Sequence, residues 1–150
     1  MKRRSLLLIA AGAASAAALP ALAGLPQVEV FKTPQCGCCT DWVEHLKAAG
    51  FPVKVTVVED TAPVRKRHGI PDKLGSCHTG VVAGYAVEGH VPAADVKRLL
   101  AMKPVAAGLS VPGMPAGSPG MEMGGRQDPY QVLLVDKAGR TMVFASYPRT

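Results

Sequence analysis

Three cysteines fall within four residues, Cys36-Gly37-Cys38-Cys39, and a fourth, Cys77, directly precedes His78. The first three stand between a strand-forming run and the start of a helical pattern. There the free N–H groups and peptide dipoles of a first helical turn favour thiolate over thiol, so lowered thiol pKa values are expected. Cys36 and Cys39 also have the C-x-x-C spacing whose sulfurs meet on one turn and can close a disulfide. After a strand in a βαβ unit, that spacing reads as a thioredoxin-like redox motif. Cys38 complicates a purely redox reading: a third thiol beside the pair could attack its disulfide, which makes a poor two-electron switch but a good multi-sulfur ligand. Disulfide stapling is also open to a chain with an even cysteine count, although a bridge from 36 to 39 closes almost no loop and restrains the unfolded chain little.

Thiolates are soft donors that select copper(I), zinc or iron–sulfur clusters. A mononuclear zinc site usually joins one C-x-x-C to a second ligand pair, and here only Cys77-His78 could supply it, so zinc is the secondary reading. What favours copper is Met114, Met121 and Met123, three methionines in ten residues with no helical or strand period to bury them. A thioether is soft and neutral and forms no disulfides, so it can hold copper(I) where free thiols are at risk of oxidation. The alternative is that these are incidental methionines of a loop. Met102 and Met142 fall in regular elements and are read as core.

Of the histidines, His78 adjoins Cys77 and could complete a copper or zinc shell, or simply bond backbone. His90, in Glu88-Gly89-His90-Val91-Pro92 just before a helix, is placed at the same end of the sheet. His45, mid-helix, and His68, at a helix end where positive charge is favoured by the dipole, are read as structural. No Ser/His/Asp set and no phosphate-cradling glycine loop occurs.

These residues need elements to hold them. Val28-Glu29-Val30-Phe31 alternates and is rich in β-formers, so it reads as a strand, with Lys32 to Gln35 as its turn. From the cysteines onward Trp42, Val43, Leu46 and Ala49 recur at helical spacing until Gly50 and Pro52. Val53, Val55 and Val57 then form a second strand, parallel to the first because a helix makes the crossover. Ala62 to His68 fits two helical turns, and Lys73 to Thr79 a loop. Gly80 to Tyr85 and Ala86 to Val91 fit short strands, and Pro92 opens a helix burying Ala93, Val96, Leu99 and Leu100. Pro104 to Pro129 carries five prolines and six glycines and reads as a long Gly/Pro/Met-rich loop without a core pattern. A hairpin of Tyr130–Asp136 and Arg140–Tyr147 follows. The expectation is an α/β (α+β) fold, a mixed β-sheet with flanking helices.

The chain has 150 residues, enough for one domain and a short extra segment. Lys2-Arg3-Arg4, an apolar run from Leu6 to Leu19, Pro20 and Ala21-Leu22-Ala23 have the layout of a secretory signal, so residues 1–23 are read as a cleaved signal peptide and 24–150 as a single domain. Whether export is general or through a twin-arginine route is left open by Arg3-Arg4. The apolar run is shorter than the ~20 residues that span a bilayer, which argues against a retained anchor. Removing three of the seventeen Lys and Arg leaves fourteen against eleven acids, a net charge of +3. With Arg65-Lys66-Arg67 the only basic cluster, nucleic-acid binding is not expected.

Signal layout, Phe31-Lys32-Thr33-Pro34-Gln35-Cys36-Gly37-Cys38-Cys39, Ser76-Cys77-His78-Thr79, Val87-Glu88-Gly89-His90-Val91-Pro92 and Gly113-Met114-Pro115 through Met123 together resemble the CopG-type periplasmic copper-resistance proteins, also described as a domain of unknown function that binds metals. The resemblance spans nearly all of 25–147. It implies a thioredoxin-like fold and multinuclear copper(I) held by Cys36, Cys38, Cys39 and Cys77. It also implies periplasmic copper handling, with interconversion of copper(I) and copper(II) as one implied activity. His78, His90, Met114, Met121 and Met123 are secondary ligand candidates, the methionines as a mobile outer gate. Partners on this reading are copper ions, other periplasmic copper proteins and a membrane copper exporter, with no membrane attachment after cleavage. Two alternatives remain: a thiol–disulfide oxidoreductase with Cys36 as nucleophile and Cys39 as resolving thiol, and a passive copper chaperone docking on an exporter or a multicopper oxidase.

Overall fold

The computed structural model describes residues 24–122 and 124–148; the segment read as a signal peptide, and Met123, lie outside the described residues. The described residues form seven strands and three helices: β1 Val28–Lys32, α1 Cys38–Ala48, β2 Val53–Val57, α2 Ala62–Arg67, β3 His78–Val82, β4 Tyr85–Glu88, α3 Ala93–Met102, β5 Gly108–Ser110, β6 Tyr130–Val135 and β7 Thr141–Tyr147. All strands join one mixed sheet in the order β2-β1-β3-β4-β5-β6-β7. The mixed α+β sheet and the parallel β1–β2 pair are as the sequence led us to expect.

Strand directions decide where the chemistry goes. β1 runs parallel to β2 and antiparallel to β3, with Lys32 opposite His78. The carboxyl end of β1, which feeds the cysteine turn, therefore meets the amino end of β3, which carries Cys77-His78. β4 is antiparallel to β3, and Glu88 pairs with Thr79, so Gly89 and His90 leave the sheet at that same end. β5 is parallel to β4, and Ser110 lies opposite Glu88, which sends Val111 to Met114 there too. A site outside the carboxyl ends of strands, where the order reverses, is the usual place for ligands on such sheets.

Alternation sorts the two faces. On one, Val28, Val30, Val82, Val87, Leu109 and Val132 pack against Trp42, Val43 and Leu46 of α1 and Ala93, Val96 and Leu99 of α3. On the other, Ala86, Ala107 and Val135 pack against Ile70 and Leu74. α1 is amphipathic because its apolar residues recur every three to four positions. His45 on this helix has a structural role, as expected: its Nε2 accepts the Ala93 N–H at 3.0 Å, satisfying a free donor at the start of α3. His68 closes α2, but burial first, then Arg67 and Lys137, hold its pKa down rather than favouring the charge anticipated at a helix end.

Four local expectations are corrected. His78 and Thr79 are not loop residues but open β3, because both are buried and pair with β1. β4 ends at Glu88 rather than Val91, since Gly89 at φ +72° turns the chain away. Within 104–129 lies a buried strand, β5, with Ala106, Ala107, Leu109 and Val111 also in the core. It escaped notice because it is only three residues long and opens on a glycine that its neighbour requires: a Cβ at Gly108 would sit 1.9 Å from the Ala86 carbonyl oxygen. Finally, Met102 and Met142 are 61% and 63% exposed, not core; one ends α3 and the other lies on β7, which among the described residues is the outer strand of the sheet beside β6.

Candidate metal centre

The four cysteine sulfurs lie within 4.8 Å of one another. Cys36 and Cys39 are joined as a disulfide, while Cys38 and Cys77 are free thiols, both half-buried. Cys36 Sγ is 3.7 Å from Cys38 Sγ, which is 3.9 Å from Cys77 Sγ. Two thiolates sharing one ion at about 2.3 Å each stand roughly 3.8–4.0 Å apart, so these spacings suit a metal with little rearrangement. Reduction of that bond would free two further sulfurs, Cys36 and Cys39, within the same 4.8 Å group. Cys39 is fully buried, its sulfur 3.8 Å from the Cys77 carbonyl, and Gly37 caps the helix that starts at Cys38.

A second group shares Cys77. Its sulfur lies 3.2 Å from His78 Nδ1 and 3.2 Å from His90 Nε2. His90 Nδ1 donates to the Pro119 carbonyl at 2.8 Å, which leaves Nε2 unprotonated toward the sulfur, the way backbone carbonyls orient ligand histidines. The His78 ring lies tilted against Trp42, with centroids 4.3 Å apart and planes inclined by 35°, and Trp42 Nε1 donates to the Val91 carbonyl at 2.9 Å. Burial drives the His78 pKa down to about 3, with the neighbouring His90 adding and the Gly89 backbone opposing. Its Nε2 is buried with no well-formed hydrogen bond among the described residues. Burial also lowers His90. Both imidazoles are thus neutral at pH 7, the form that ligates metals. Burial pushes the Cys77 thiol up to about 12, Cys38 adds to the push and Ser76 opposes it, so an arriving metal must displace its proton.

Polar residues that the sequence reading missed fix the Cys77 bend. The buried Glu88 carboxylate accepts the Ser76 N–H at 2.7 Å, the Thr79 hydroxyl at 2.6 Å and Arg65 Nη1 at 3.4 Å. Arg65 also pairs with Asp72 at 3.1 Å. Burial raises the Glu88 pKa despite these partners. Ser76 Oγ donates to the Gly113 carbonyl, and Gly113 N–H donates to Gly75 at 3.3 Å, so the Met114 loop is tied to the Cys77 loop. A lone acid in a short strand gives no sequence signal of its own; only the register opposite Thr79 reveals it.

Of the methionines, Met114 borders an open cleft of about 480 Å³ with Cys36, Cys38, Ser76 and Cys77. Met121 does not line this cleft; its backbone bonds Ser118 and Gly117, at 2.8 Å each. Met123 lies outside the described residues. The loop carrying them is packed, with Ser118 fully buried and Gly120 pressed against the first turn of α1.

A mixed sheet that gathers four sulfurs and two neutral imidazoles at one end defines a protein with a thiolate–imidazole candidate metal centre. The chain belongs to the CopG family of copper resistance proteins. Two solved structures named copper resistance protein CopG, form 1 and form 2, are similar to it at 50% and 49% identity, each with a TM-score of 0.78, covering 83% of this chain and 99% of theirs. A family model described as a protein of unknown function, DUF411, matches residues 74–121, the span from the 3-10 turn before Cys77 to Met121. No curated protein matches.

Proposed function

We propose that this chain is a copper-binding protein of copper resistance that holds more than one copper(I) through Cys36, Cys38, Cys39 and Cys77. His78, His90 and Met114 stand around that set, Met121 lies further along the Met114 loop, and Met123, outside the described residues, is kept as a candidate from the sequence. The observation that carries the reading is the convergence of four sulfurs within 4.8 Å at one end of the sheet. Thiolates at that density suit copper(I), and the soft, neutral Met114 thioether bordering the same cleft favours it over a mononuclear zinc ion. The relatives' name, copper resistance protein, supports the same direction. We read β1-α1-β2 followed by β3-β4-α3 as a thioredoxin-like arrangement, with 24–150 as the working domain. Residues 1–23 direct export to the periplasm, where the protein exchanges copper with other copper proteins or a membrane exporter, and interconversion of copper(I) and copper(II) belongs to the same proposal. No helix among the described residues is long and apolar enough to cross a membrane.

Anaerobic copper(I) titration of the reduced protein against a chromophoric chelator tests this. More than one tightly held copper per chain is expected; one or none refutes the cluster. Mass spectrometry of the exported form should show Gly24 as the first residue.

The Cys36–Cys39 pairing favours a second reading, a thiol–disulfide oxidoreductase. A Cys38→Ser variant separates the two: an oxidoreductase keeps its disulfide activity, whereas the copper cluster loses much of its metal.

A further inference from the structure

The two donor groups overlap at one atom only. The first is Cys36, Cys38, Cys39 and Cys77; the second is Cys77, His78 and His90. Closing the Cys36–Cys39 bond removes two of four donors from the first group and none from the second. We propose that the centre is two metal sites sharing Cys77, and that the Cys36–Cys39 disulfide switches off the thiolate cluster while leaving a one-sulfur, two-nitrogen site able to retain a single copper(I). This rests on the copper reading above and assigns the sites their separate dependence on oxidation.

The second group has what a metal site requires. Around a three-coordinate ion with bonds of about 2.3 Å to sulfur and 2.0 Å to nitrogen, ligand atoms stand about 3.5–3.7 Å apart. The two 3.2 Å separations from Cys77 therefore need to open by about half an ångström. The rings are held from behind: His90 by the Pro119 carbonyl, and His78 by Trp42 and by an edge-on contact with His90 at 5.0 Å. None of these supports involves Cys36 or Cys39. Among the described residues, the set that competes after oxidation is Cys38 with Cys77, 3.9 Å apart, with Met114 bordering the same cleft.

The switch is a two-electron exchange. The Cys36 and Cys39 sulfurs form one S–S bond while a small-molecule disulfide is reduced to two thiols, whose two protons come from the cysteine thiols in the metal-free protein and from water where the sulfurs held copper(I) as thiolates. Copper formerly bridged by those sulfurs leaves as copper(I), with no change of its own valence.

The full chain is prepared in two states: fully reduced, and oxidised with a small-molecule disulfide, with two thiols lost and the bond mapped to Cys36–Cys39 by mass spectrometry. Each is titrated anaerobically with copper(I) against a chelator, and the loaded oxidised form is measured by X-ray absorption. The expected result is several coppers in the reduced state and one in the oxidised, bound by one sulfur and two nitrogens. Cys38→Ser should keep that one copper, and His90→Gln should weaken its retention at least tenfold. The absorption measurement on the wild type decides the matter should His90→Gln not fold. No copper in the oxidised state, or copper bound by two sulfurs and lost in Cys38→Ser, overturns the proposal. A reduced protein that takes up one copper or none overturns the cluster reading instead.

Discussion

Gly120 is where the methionine-bearing loop presses on the helix that presents the cysteines. Its φ is +83°, and a Cβ there would lie 2.8 Å from Trp42 N, 3.1 Å from the Cys38 carbonyl oxygen and 3.2 Å from Trp42 Cα. All three are backbone atoms of the first turn of α1, which cannot swing aside. Gly120→Ala therefore carries two costs. The left-handed backbone costs about 1–2 kcal/mol for a residue with a Cβ, and overpacking against fixed atoms costs about 1–3 kcal/mol more. Together they predict a loss of about 2–5 kcal/mol, a fall in Tm on the order of 10 °C. Gly124→Ala is the control, since Gly124 has φ +64° and nothing within 4 Å, so it should show the backbone cost alone. The adjacent Pro119 carbonyl holds His90, so the displaced loop should also weaken copper retention in Gly120→Ala but not in Gly124→Ala. Urea unfolding of the metal-free protein and chelator competition measure the two effects. Equal stabilities for the two variants, with unchanged copper affinity, would show that the loop is not seated on α1 and would refute the reasoning.

Glu88→Ala leaves Arg65 with Asp72 alone and strips an acceptor from Ser76 and Thr79, and should cost about 3–5 kcal/mol in urea unfolding, against about 1 kcal/mol for Thr79→Val. Gly108→Ala, whose Cβ overlaps the Ala86 carbonyl, should break the β4–β5 pairing and yield no cooperatively folded protein by circular dichroism. Acid should destabilise the metal-free protein: His78 is lowered in the fold, so its contribution is complete above its ordinary 6.5 and is lost as pH falls toward 3, by up to about 4–5 kcal/mol. Glu88 opposes this, because a raised carboxylate pKa favours the fold on acidification; His78→Phe should remove the loss and leave the opposing slope. Cys77 is raised, so its contribution is complete below 9 and is lost as pH rises toward 12, a decline that Cys77→Ser should flatten. On the copper proposal Cys77 must lose that proton to bind, so copper affinity near neutrality should rise about tenfold per pH unit for each proton released, with a smaller slope in Cys77→Ser.

How much of this the sequence disclosed follows from where its information sits. The cysteine turn, α1 and β2 could be read because their signals are local: alternating valines, a helical period and a Gly/Pro stop lie within thirty residues. That Cys77, His78 and His90 join the turn depends instead on β3 running antiparallel to β1 and on Lys32 standing opposite His78, a pairing across forty-six positions that no window of sequence contains. The Glu88 network was hidden for the same reason, since its partners at 65, 76 and 79 become neighbours only through register. β5 was hidden differently: Gly108 carries no strand propensity, yet the sheet needs glycine there because Ala86 comes so close. Composition misled at the loop as well. Prolines and glycines suggested a loop without a core pattern, but Gly120 supplies the left-handed turn that lets backbone pack on backbone, and Pro119 supplies the carbonyl that aims His90. In this segment the residues that looked like marks of an unpacked loop are the ones that permit close packing, and through the Pro119 carbonyl the loop holds the imidazole beneath it.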